Sequence, residues 1–143
     1  MSQPTPKFAI AFMIVAAGCL VAGVSMGIAM GIAHDFALAP VHAHLNLLGW
    51  ASLALMGLTY RAWPELASNR LAASVQFALS AGSAMVFPVG IYIAISHGQP
   101  LPAILAAIVG FTGAVLFLGR LVALALADSR RHLPAAMAAA PRA

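Results

Sequence analysis

Four long apolar runs, parted by short links that carry helix breakers, constrain this 143-residue chain more than anything else in it. They cover residues 8–33, 41–63, 71–96 and 101–127. A helix needs roughly 20 apolar residues to cross the hydrocarbon core of a bilayer, and each run is long enough. The first holds no charge, and the fourth meets its only one late, at Arg120. Charged residues make up 7% of the chain and hydrophobic ones 63%. Water-soluble domains carry about 25% charged residues, so a soluble core protein is excluded. The expected fold class is all-α integral membrane, a four-transmembrane-helix bundle over residues 1–132. Residues 133–143, rich in Ala and Pro, read as a disordered tail.

The links support the same division. Pro40 precedes the second run, and Trp63-Pro64-Glu65 ends it. His97-Gly98-Gln99-Pro100 separates the third and fourth, and Pro102 suits a first helical turn. Pro88, inside the third run, is expected to kink its helix. The uncharged stretch after Lys7 exceeds the 7–15 residues or so of a signal-peptide core, so the first helix reads as retained. Lys7, Arg61, Arg70, Arg120, Arg130 and Arg131 all fall at one end of the predicted helices. By the positive-inside rule that end, with both termini, faces the cytoplasm. Arg120 is expected to snorkel to this inner interface, and a bacterial inner membrane is the expected location. His34, His42, His44 and His97 then lie toward the outer face.

The net charge of +4 does not point to nucleic acid, because the cations form no patch with interleaved aromatics. Cys19 has no cysteine partner in the chain and reads as a small packing residue. Gly23, Gly27 and Gly31 stand four residues apart, on one face of the first helix, where a second helix can approach closely.

The string PVHAHLNLLGWASLALMGLTYRAWPE carries the chemistry. Imidazoles at the mouth of a membrane helix are costly to bury unless hydrogen-bonded or bound to a metal. Residues two apart on a helix differ by about 200°, so His42 and His44 face nearly opposite sides and cannot easily share one ion. Each is placed to serve a different neighbour. Asn46 lies one turn along on the His42 side, and Gly49 follows on that stripe, where a flat cofactor or another backbone has room.

This string resembles the heme-ligand helices of the heme–copper oxidase large subunit, nearest its nitric-oxide-reductase branch. That family has a late helix with H-x-H-L and an early helix with H-x-N-L-L that ends near a Tyr and a Pro-Glu. Here both patterns are superposed, as His42-Ala43-His44-Leu45 and His44-Leu45-Asn46-Leu47-Leu48, followed by Tyr60 and Pro64-Glu65. The resemblance puts His44 at the low-spin heme position in both alignments and His42 at the high-spin position in one. The family's subunit has twelve helices in three arcs of four, and this chain has the length of one arc. The resemblance therefore implies a heme-b-binding protein that carries electrons or holds heme. It also implies a homo-oligomer, with a trimer as first choice and a dimer as second, and a redox partner. The family's copper site needs a His-His pair, which this chain lacks, so copper-dependent reduction of oxygen or nitric oxide is not implied. Two other readings compete with heme. One is a cofactor-free membrane scaffold or accessory subunit, and the other is a copper or zinc site at an oligomer axis.

Overall fold

A computed structural model describes residues 7–138, with side chains to Arg130. Its helices are α1 (Lys7–Ala33), α2 (Ala39–Ala62), α3 (Arg70–His97) and α4 (Leu101–Ala138). A 3-10 turn, Pro64–Ala67, follows α2. All four helices, α4 through its Leu101–Arg130 stretch, are long and apolar enough to cross a membrane. No strand occurs among the described residues. The last helix runs on into the tail as far as Ala138, and residues 139–143 lie outside the described residues.

The helix ends follow local chemistry. His34 adopts a left-handed φ of 51° after α1, and the Asp35 amide reaches back to Met30 O at 3.2 Å, closing the helix end. Asp35 Oδ1 then accepts from the Ala37 amide, turning the chain toward Pro40. Asn69 caps α3 by accepting from the Ala72 amide at 3.0 Å. Gly98, at φ 66°, ends that helix. Asn69→Ala should lower stability by about 1 kcal/mol, the usual weight of such a cap, measured as thermal unfolding in detergent. The assigned helix runs unbroken through Pro88, which is buried.

The helices pack in chain order, as an arc. Helix α1 lies along α2 and touches α3, α2 lies against α3, and α4 packs on α3 and the 3-10 turn. The backbone of α4 stays away from α1 and α2, and α4 reaches α2 through side chains. Only 11% of the apolar window of α4 is buried, so most of its surface is left for lipid or another chain. The α3–α4 seam is built from small residues and polar bonds, as membrane helix pairs often are. A Cβ on Gly90 would sit 2.6 Å from Ala103 N, so the two backbones nearly touch there. Ser83 Oγ donates to Ala106 O at 2.7 Å, and Gln76 Nε2 donates to Gly113 O at 3.0 Å and to Ser80 Oγ at 2.8 Å.

An aromatic core closes the end of the arc that carries Lys7, Arg61 and Arg70. Phe12 and Tyr60 are fully buried and lie 5.4 Å apart, and Phe77 meets Phe12 edge-on at 5.0 Å. Arg120 reaches this core from α4. Its guanidinium donates to Tyr60 Oη and to Leu66 O and lies 5.4 Å from the Tyr60 ring centroid. The side chain expected to snorkel is therefore tied down, joining α4 to the C-terminal end of α2. Lysine carries its donors on one nitrogen in place of a planar fork, so it cannot reproduce the two-nitrogen contact to both acceptors. Arg120→Lys should cost about 2 kcal/mol, from loss of a charged hydrogen bond at a partly buried site. Exposed Arg130 offers the control: Arg130→Lys should leave unfolding in mixed micelles unchanged.

Candidate heme site on the second helix

The middle of α2 departs from α geometry. Residues Leu45–Ser52 form a π-helix, beginning directly after His44. Each π turn takes more residues than an α turn, and such segments are frequent at functional sites. Ser52 Oγ supports the wide turn by donating to Leu47 O, five residues back, at 2.8 Å. Gly49 sits in its centre and is buried. A Cβ there would lie 2.7 Å from Cys19 Sγ, so the missing side chain lets α1 close on the widened helix.

His42 faces α1. Its Nδ1 lies 2.9 Å from Gly23 O. A carbonyl only accepts, so Nδ1 carries the proton and Nε2 holds the lone pair. Asn46, one turn on, donates from Nδ2 to His42 O at 2.8 Å. Both side chains rest in the glycine stripe of α1. A Cβ on Gly23 would meet Asn46 Nδ2 at 2.5 Å, and one on Gly27 would meet His42 Cε1 at 2.9 Å. Gly31, the third member, has nothing within 4 Å. The stripe expected to admit a helix thus admits two polar side chains of that helix.

His44 faces α3. Its ring meets Phe87 edge-on, with centroids 4.9 Å apart and planes at 81°. Its Nδ1 lies 2.7 Å from Pro40 O, so this imidazole too is held as the tautomer with a bare Nε2. His42 and His44 thus point to different helices, as their spacing requires, and Asn46 belongs with His42. Gly49 serves the contact with Cys19. His34 and His97 are exposed at helix ends. The structure does not describe the side chain of His132, which has no assigned role.

Among the described residues no three His, Cys, Asp or Glu side chains converge on a point. A copper or zinc ion needs three or four protein ligands, more than the described residues of one copy bring together. Heme iron takes four ligands from the porphyrin and asks the protein for one or two. The donors on α2 match that smaller demand. A ligating histidine characteristically donates its other ring N–H to a carbonyl or carboxylate, which fixes the tautomer and makes the free nitrogen a better donor. Both imidazoles have this arrangement. Compared with protein-family models, curated proteins and solved structures, the chain matches none.

Proposed function

We propose that this chain is a heme-b-binding membrane protein, with His44 as principal iron ligand and His42 as second. It would hold heme or pass electrons through it, in a bacterial inner membrane with both termini in the cytoplasm. One observation carries the reading: each imidazole has its Nδ1 within hydrogen-bond distance of a backbone carbonyl, which leaves Nε2 as the lone-pair nitrogen. Bound heme would supply one-electron chemistry at iron. The protein's part is to orient the rings, through Pro40 O and Phe87 for His44 and through Gly23, Gly27 and Asn46 for His42. The sequence likeness to the heme-ligand helices of heme–copper oxidases supports the same residues.

A homo-oligomer completes the proposal, a trimer before a dimer. Support comes from the open arc and from the bareness of α4. The groove that shares Phe87 with His44 measures about 240 Å³, too small to enclose a porphyrin. A redox partner would exchange electrons with the assembly. Hemin added to chain purified without heme should give a saturable Soret shift, and light scattering should report a particle of three chains. A free-hemin spectrum at every ratio would remove the heme reading and favour a scaffold subunit. A monomer that binds heme would remove the oligomer alone.

The orientation has its own test. A cysteine placed at Gln99, in a Cys19→Ser background, should react with an impermeant reagent from the outer face of sealed cells. Reaction only in inverted vesicles contradicts it.

A further inference from the structure

The groove between α2, α3 and α4 lies near the middle of the spans, and apolar side chains form most of its wall, Met56, Phe87 and Phe111 among them. Three serine hydroxyls also line it. Two have given their protons to carbonyls, Ser52 to Leu47 O and Ser83 to Ala106 O. Ser80 differs. It is only 7% exposed, and its oxygen accepts from Gln76 Nε2 at 2.8 Å. Gln76 is wholly buried and does not line the groove. The same nitrogen donates to Gly113 O at 3.0 Å, so the amide holds Ser80 Oγ from a fixed place. Among the described residues the Ser80 proton has no acceptor. A hydroxyl whose oxygen already accepts is a stronger donor, and a buried donor left unpaired is costly until an acceptor reaches it. The groove therefore holds one fixed O–H that is free to donate, set among apolar side chains.

We infer that this groove binds a membrane-dissolved ring that carries a carbonyl, the carbonyl oxygen accepting from Ser80 Oγ. Hydrocarbon surroundings supply no water to pair with that hydroxyl, so the ligand's acceptor meets no competitor. A carbonyl also brings no proton of its own that would need a partner inside the groove. A cavity of about 150 Å³ takes a benzene ring, so about 240 Å³ takes a ring with a substituent. Phe87 and Phe111 offer edges and faces to such a ring. A hydrocarbon of the same shape gains those contacts and leaves the Ser80 proton unpaired. The same chemistry could arrive as a free aryl ketone or as the head of a prenylated quinone. The site stands whether or not iron binds at His44.

The test uses the full chain in lipid nanodiscs, prepared without heme. Two probes of nearly equal shape, 4-fluoroacetophenone and 4-fluoro-α-methylstyrene, differ in C=O against C=CH2 and are observed by fluorine NMR. The ketone should bind about fivefold tighter than the alkene beyond their difference in partition into protein-free nanodiscs, the weight of one hydrogen bond. Ser80→Ala should erase that preference while both probes still bind. Ala107→Phe, which fills the groove, should abolish binding of both. Infrared spectra of the ketone labelled with carbon-13 at its carbonyl read the bond directly. The carbonyl stretch should fall on binding to the unaltered chain and stay at its lipid value with Ser80→Ala. Circular dichroism identifies a variant that has failed to fold, and the infrared shift in the unaltered chain then decides. Displacement of the probe by a decyl-benzoquinone assigns the membrane-borne source, and displacement only by simple aryl ketones assigns the free one. Equal binding of ketone and alkene to the unaltered chain, a carbonyl stretch unmoved by binding, or a preference that survives in folded Ser80→Ala overturns the proposal.

Discussion

His44→Ala should remove most of the heme that the chain takes up, while His132→Ala removes none. The Soret absorbance per chain, read after purification with heme supplied, measures both. The first loss follows from chemistry: alanine has no lone pair for iron, and His42, the other imidazole on α2, faces α1. His44 meets Phe87 of α3 and its own Pro40 carbonyl, so its removal should leave the α1–α2 pairing in place. Helicity and melting temperature should therefore stay near those of the unaltered chain. His42→Ala should differ. It also lowers heme content, but it empties the space over Gly27 and leaves Gly23 O without its second partner. Some loss of stability should accompany it.

Gly27→Leu should be the most destabilising single change in α1, by about 3 kcal/mol, at the upper end for overpacking a tight contact. Even a bare Cβ there would stand 2.9 Å from His42 Cε1, and the ring is tied through Nδ1 to Gly23 O, one turn earlier on the same helix as Gly27. It cannot move aside without breaking that bond. Gly23→Leu should act in the same way through Asn46, whose three amide atoms all lie within 2.8 Å of the new Cβ. A Cβ at Gly31 or Gly18 meets nothing within 4 Å, so Gly31→Leu and Gly18→Leu should be neutral or mildly stabilising, since leucine is the better helix former. Unfolding in mixed micelles separates the two classes. Equal effects at all four glycines would mean that their influence comes from helix propensity and that α2 does not seat its polar side chains there.

The four spans were legible because hydrophobicity over about 20 residues suffices to mark a helix of that class, and each observed helix lies over its apolar run. The opposite facing of His42 and His44 was legible from spacing alone. Less could be read where two helices meet. The stripe Gly23, Gly27, Gly31 announces close approach, but which side chain enters it depends on the register between α1 and α2, which no local pattern encodes. Gly31 falls beyond the reach of that register. The π segment was hidden because apolar periodicity assumes α turns. Arg120 was visible as a lone cation in an apolar run. Its partners, Tyr60 and Leu66, are more than fifty residues away, so its tether was not. Gln76, Ser80 and Ser83 recur at helical spacing within the third run, a polar stripe that could have marked the α3–α4 seam in advance.

The iron ligand itself is the point on which the functional reading turns. Pulsed electron paramagnetic resonance of the ferric protein, grown with nitrogen-15 histidine, reads that ligand directly. The expected result is a low-spin signal with hyperfine coupling to labelled imidazole nitrogen, lost in His44→Ala. Ferric heme bound without coupling to any labelled histidine, or coupling that persists unchanged in His44→Ala, would contradict it.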